Sequence, residues 1–314
     1  MTVGPQAISA PRVRARRGEP PNPAALIFLL PAAILLLVFL IFPTVYTVLL
    51  SFNRGRRGEF TEWVGLRNYE QLFLRDPAFL DLSKFPPSGA VWNNILWLIF
   101  YVSIVLALGL IIAVMAGRVR YEAIIKALVF LPMAIAATAL AVIWTFVYSP
   151  NPNQGLLNAI IGVFGAGPIA WLGNPSIVNF AIIAVGVWGS VGFATVILSA
   201  ALKAIPSEII EAGRVDGASE RQIFFRIIVP MVSLPMSVLA VTLVVNVVKL
   251  FDLIFVMTAG GPGTASRVMA FTMYTEGFAG GLFGKSAAVA VVMVLVLIPV
   301  MAFNIRRFRS AAVV

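Results

Sequence analysis

Side chains able to do covalent or acid–base chemistry are scarce in this chain. It has no cysteine and no histidine. That excludes thiolate nucleophiles, disulfides, imidazole acid–base chemistry and the usual zinc and haem ligands. The nearest thing to a nucleotide motif is Ala279-Gly280-Gly281-Leu282-Phe283-Gly284-Lys285-Ser286. A phosphate loop opens on glycine, follows a strand and leads into a helix. Ala279 stands in the glycine's place, and no strand signal precedes it. The expectation is a chain that is not an enzyme, has no catalytic or metal-ligating residues and holds no cofactor, with any ATP bound by a partner subunit.

A second group is Asn246, Lys249 and Asp252, set in a long apolar run at i, i+3 and i+6. On one continuous helix they share an arc of about 120°. Ionisable groups at membrane depth are costly and normally face a cavity or each other. One reading makes them the polar lining of a path for a hydroxyl-bearing solute. The other makes Lys249 and Asp252 a pair that only holds helices together, or turns Lys249 outward to the interface. Trp188, Ser190 and Asn94 are further path candidates from other apolar runs; Asn94 and Trp188 also read as core or interfacial residues.

The third group is the polar island Glu208–Pro230. It carries Glu208, Glu211, Asp216, Glu220, Arg214, Arg221 and Arg226 between two apolar runs. Pro206 and Ser207 sit where a helix would start, with Glu208 and Glu211 at the positive end of its dipole. Asp216-Gly217-Ala218 is a turn signal. Ser219 with Gln222 three residues on forms a capping box, and Pro230 follows the last turn. Ile209, Ala212 and Val215 recur at helical spacing, so one face wants a partner.

These groups must be positioned by a membrane protein. The 314 residues are 60% hydrophobic and 11% charged, against about half and a quarter for a soluble domain. Residues 1–23 read as a disordered, Pro- and Arg-rich tail. Residues 24–305 read as a transmembrane domain with six spans near 24–50, 91–116, 124–148, 177–202, 231–257 and 286–305, each about 20 residues or more. Pro43 is a candidate kink. Leu66–Leu74 and Leu156–Phe164 are too short to cross and read as interfacial pieces. The island is a loop over 206–230, and residues 306–314 close the chain. The net charge of +10 does not point to nucleic acid, because the basic residues cluster at alternate membrane edges. The tail, the loop after span two with Lys126 beyond it, the island with Lys203 just before it, and the C-terminus hold fourteen of the twenty-three Lys and Arg. The positive-inside rule then makes both termini and the island cytoplasmic.

Glu211-Ala212-Gly213, three residues, Gly217, nine residues, then Ile227-x-Val229-Pro230 resembles the EAA loop of ABC importer permeases. Gly213 stands for the family's Ala and Val229 for its Leu. Further landmarks follow in order: Gly65-Leu66-x-Asn68-Tyr69, Leu131-Pro132 followed by Trp144, Gly155-Leu156-Leu157-Asn158, Trp171-Leu172-x-Asn174-Pro175, and Phe251-Asp252 through Gly260-Gly261-Pro262. Together they resemble the sugar-type permeases similar to the larger maltose permease subunit and its glycerol-phosphate relatives, over residues 25–305.

The resemblance implies an all-α, six-span type I importer permease in a bacterial or archaeal cytoplasmic membrane. It implies ATPase coupling through Glu211, Ala212, Gly213, Asp216, Gly217, Ile227 and Pro230. It also implies a second homologous permease, two copies of a cytoplasmic ATPase, an extracytoplasmic solute-binding protein and a sugar substrate. A permease for another solute, such as a polyamine or phosphate, is the alternative within the class. A self-contained carrier or channel is the alternative outside it; carriers usually show inverted repeats and paired broken helices, and the sequence displays neither.

Overall fold

The computed structural model describes residues 23–311, apart from positions 57 and 84. The tail read as disordered therefore lies outside the described residues, save Pro23, which opens the first helix. The chain divides into two compact units, residues 1–46 and 47–314. In the first, the helix from Pro23 passes through a π-turn at Leu37–Ile41; the helical run Phe42–Ser51 follows, its residues 47–51 belonging to the second unit. The π-turn immediately precedes Pro43, which has no N–H for the carbonyl four residues back. The candidate kink is thus absorbed as a local widening.

In the second unit, Ala90–Ala116, Val178–Lys203 and Phe283–Arg307 are long apolar spans. Two more are bent pairs: Glu122–Ala134 with Ala137–Val147, at 98°, and Glu220–Met231 with Ser233–Val248, at 66°. Counting each pair once, the described residues hold six helices or helix pairs long and apolar enough to cross a membrane, and they form no strand. Spans two, four and five pack around Val105, Ile182, Leu198, Leu239 and Leu243, all buried. Lipid is as apolar as these side chains, so close packing and hydrogen bonds must supply the cohesion. At Gly192 a Cβ would come within 2.3 Å of the Val129 carbonyl, so only glycine lets span four approach span three there.

Three expectations need correction. The third span is not one helix. Pro132 lies in a 3₁₀ turn, Leu131–Ala134, and Ile135 is extended before the helix restarts at Ala137. Nor does Pro230 end a helix. The chain takes a π-turn at Phe224–Ile228, carries Pro230 through Val229–Met231 and bends at Val232. The fifth span stops at Val248 and a separate helix begins at Asp252, ending at Met257. In addition, the last helix runs to Ala311, past the expected end near 305.

Several polar landmarks are loop staples. Asn68 donates to the carbonyls of Ser51 and Asn53, both at 2.8 Å. Asn158, 1% exposed, donates to Ser149 O and Ile169 O and accepts from Ile169 N at 2.9 Å. Asn179 donates to Asn93 Oδ1 at 2.9 Å, and Asn93 donates to Arg267 O at 2.7 Å. A buried backbone group needs such a partner, and an asparagine amide offers donors and an acceptor together. These staples lie at the bundle end away from the Glu208–Pro230 island.

Candidate functional site

The breaks in spans three and five face one cavity. It measures about 180 Å³ and is lined by Pro132, Met133 and Ile135 from one break, and by Asn246, Val247 and Leu250 beside the other. Span two adds Trp97 and Tyr101; span four adds Gly186, Gly189 and Ser190. Tyr101 donates its hydroxyl to Ser190 Oγ at 2.8 Å. The indole Nε1 of buried Trp97 has no hydrogen-bond partner. The wall is therefore mostly apolar, with a few polar groups among aromatic rings.

Proline explains the first break. The second has neither proline nor glycine in Lys249-Leu250-Phe251. Its cause is distant in sequence. Asn94, 2% exposed, donates to Val247 O at 3.1 Å, the carbonyl that an unbroken helix would offer to the N–H of residue 251. The other side of the same amide accepts from Met269 N at 2.8 Å, where another helix starts. Asn94 thus ends one helix and begins another.

Of the six path candidates, the structure brings Asn246 and Ser190 together at the cavity. Asn94 has both amide atoms engaged by backbone. Trp188 lies on another face of span four, edge-on to Trp144 at 5.5 Å, in a groove with Phe100 and Ile104. Lys249 and Asp252 are exposed and form no ion pair with each other. The shared 120° arc required a continuous helix, so the break removes it. Tyr101 and Trp97 were missed. Their i, i+4 spacing marks one face of span two, but nothing local marks that face as cavity rather than core.

Apart from its end at Pro230, the Glu208–Pro230 island folds as its spacing predicts. A helix spans Ser207–Val215, and Ser219 caps the next with the full reciprocal box to Gln222. Between them Gly217 has φ +78°. The N–H of Gly217 donates to Arg214 O and that of Ala218 to Gly213 O, both at 3.0 Å, a left-handed helix stop suited to glycine. Gly213 is buried, and a Cβ there would lie 2.9 Å from Ile227 Cδ1. The departure from the family's Ala thus makes room for Ile227. The opposite face is open, with Ile209 40% and Val215 87% exposed. Glu211, Ala212 and Asp216 are exposed as well.

One ion pair ties the island to the loop after span two, and others lie within it and close by. Glu220 accepts from Arg214 Nε at 2.9 Å and from Arg118, after span two, at 3.2 Å. The hydrogen bond from Arg214 holds the Glu220 carboxyl below the usual carboxylate range. Glu122 pairs with Lys126 and, at 3.1 Å, with Lys203 at the end of span four. At the far end of the bundle Lys285 is held by Asp76 at 2.8 Å and Glu276 at 3.0 Å. The lysine of the near-nucleotide motif is thereby occupied by carboxylates.

A bent-span helical bundle with a cavity between its breaks and a helix–turn–helix loop at one end is the architecture of a membrane permease. Residues 105–307 match the model of the binding-protein-dependent transport system inner membrane component family, and the chain belongs to that family. It is 46% identical to the osmoprotective compounds uptake permease protein GgtC of Synechocystis sp., over 90% of this chain and 98% of that one. It is 40% identical to the alpha-glucoside transport system permease protein AglF of Rhizobium meliloti, over 89% and 81%. The fold matches a solved bacterial ABC transporter involved in the import of the acidic polysaccharide alginate. There the TM-score is 0.75 at 22% identity, covering 91% of this chain and 95% of that one. Broken helices are thus present after all and do not separate this class from carriers; family membership does.

Proposed function

We propose that this chain is the permease subunit of an ATP-driven importer for a mono-, di- or oligosaccharide. One observation carries the reading: a single span joins the island to the cavity. The helix starting after Ser219 passes the bend at Val232 and reaches Asn246 at the cavity wall. A displacement of the island therefore moves the wall directly, as alternating access between two states requires. The open Ile209 and Val215 face is suited to a cleft on a cytoplasmic ATPase, present in two copies, which would bind the ATP.

The cavity, about 180 Å³, is smaller than the ~300–1,000 Å³ of ordinary ligand sites. That supports a path completed by a second, homologous permease. An extracytoplasmic solute-binding protein would deliver the sugar. The hydroxyl, amide and indole groups at the wall suit sugar hydroxyls, and the relatives named for alpha-glucosides and alginate support the class. A second reading, an osmoprotective solute outside the sugars, is favoured by the name of the Synechocystis relative.

Uptake of labelled sugar, normalised to permease abundance, tests the path. Asn246→Ala is expected to lower uptake with abundance kept; full uptake would move the site. With no Lys249–Asp252 pair, the losses from Lys249→Ala and Asp252→Ala should add, and mutual relief in the double variant would restore the pair. Competition by unlabelled sugars against non-sugar osmoprotectants decides between the two solute readings. The orientation, with both termini and the island cytoplasmic, rests on the Lys/Arg distribution. A cysteine at Ser219 should resist an impermeant thiol reagent in intact cells while one at Ser88 reacts; reversed labelling would sink it.

A further inference from the structure

At the bundle end opposite the island lies a pocket of about 230 Å³. Arg54, Arg56, Arg67 and Lys285 line it, together with Gln71 and Asn68. Its place relative to the membrane follows from the chain. The first span ends at Ser51 and the last begins at Phe283, so Arg54, Arg56 and Lys285 lie within five residues of a span end, at headgroup depth. The walls are held in place. Asn68 pins the carbonyls of Ser51 and Asn53, and Gly284 N donates to Gly55 O at 3.3 Å.

The four cations are not equivalent. Arg54 is neutralised by Glu62 at 3.2 Å, and Lys285 by Asp76 and Glu276. Among the described residues Arg56 and Arg67 make no side-chain hydrogen bond or ion pair, and the Gln71 amide is also unengaged. Val64 and Leu282 supply the apolar part of the wall, Leu282 being 39% exposed; in the same loop as Arg56 and Arg67, Phe60, Trp63 and Leu66 stand 47%, 64% and 68% exposed. Exposed aromatic and aliphatic side chains in a loop that lines a basic pocket suit the boundary between headgroups and acyl chains. A guanidinium fork matches phosphate oxygens in pairs.

We propose that this pocket holds the phosphate of an anionic phospholipid, pinning the loop after Ser51 and the start of the last span to the membrane surface. Val64 and Leu282 on the wall and the exposed apolar side chains of the same loop favour a lipid over a free anion, and the proposal does not depend on the transported solute.

The purified protein in neutral detergent, titrated with phosphatidylglycerol or phosphatidylcholine and read by native mass spectrometry, tests it. Wild type should retain one phosphatidylglycerol in clear preference to phosphatidylcholine. At about fivefold per basic residue near the surface, the double variant Arg56→Gln/Arg67→Gln should weaken that binding roughly twenty-fivefold. Arg56→Lys/Arg67→Lys should restore part of it, returning the charge without the paired fork. Arg75→Gln, whose charge is already paired with Glu70, should change little. Among the described residues neither Arg56 nor Arg67 holds another side chain, so the variants should elute and melt as wild type. Equal binding by wild type and the Gln variant overturns the proposal. Displacement by inorganic phosphate assigns the site to a soluble anion and overturns the lipid. Unchanged lipid binding with lost stimulation by the solute-binding protein assigns the arginines to a protein contact, and the lipid proposal falls.

Discussion

The two ends of the bundle are held by a different balance of chemistry, the far end adding ion pairs such as that of Lys285 with Asp76 and Glu276 to its buried amides. At the end away from the island, Asn68, Asn93, Asn158 and Asn179 are buried and bind backbone groups across loops. At the island end, Arg118, Arg214 and Glu220 are more than half exposed and meet through charge. Buried hydrogen bonds are unscreened, and leaving one partner unpaired costs about 1–3 kcal/mol. Exposed ion pairs are weak and fade with salt. One end is built to stay and the other can re-form its contacts at little cost. That difference fits a molecule whose island is displaced while its far end serves as the reference.

Substitutions can break this contrast. The largest effect is expected from Asn158→Ala. It strands Ser149 O, Ile169 O and Ile169 N in a site only 1% exposed, for a loss of about 2–4 kcal/mol. Thermal unfolding in detergent should show a clear drop; an unchanged midpoint would mean that these staples do not hold that end.

A middle effect is expected from Gly217→Ala. No atom lies within 4 Å of the new Cβ, so the cost is backbone strain at φ +78°, about 1–2 kcal/mol for a left-handed residue. Permease abundance should hold while ATP-dependent uptake falls. Normal uptake with normal ATPase stimulation would remove the turn from the coupling path.

The smallest stability effect is expected from Glu220→Gln, which cuts both arginine contacts. Melting should barely move, but ATPase stimulation should lose part of its dependence on ionic strength. The native contact belongs to the ionised carboxylate. With its pKa lowered in the fold, the contribution is present at neutral pH and lost as pH falls through that lowered value. A melting loss as large as that of Asn158→Ala would abolish the contrast between the two ends.

The island was legible because its signals are local. Ser219 and Gln222 cap a helix within four residues, and Gly217 satisfies a backbone angle that few other residues adopt. Pro132 was equally visible, and its break in span three could have been read from the missing N–H. The break after Val248 could not, since no residue between 249 and 251 disfavours a helix.

Sequence by itself determined the six apolar runs, the helix–turn–helix grammar of the island and the absence of thiol and imidazole chemistry, because each follows from residue type and short-range spacing. Only the tertiary structure decided where the fifth span stops and which polar groups share the cavity. The Asn94 amide reaches the Val247 carbonyl across 153 positions of chain. Asn246 and Ser190 meet at one cavity only because spans two, four and five pack as they do. A hydrogen bond between distant segments exists only once both are in place, so neither segment's own residues announce it.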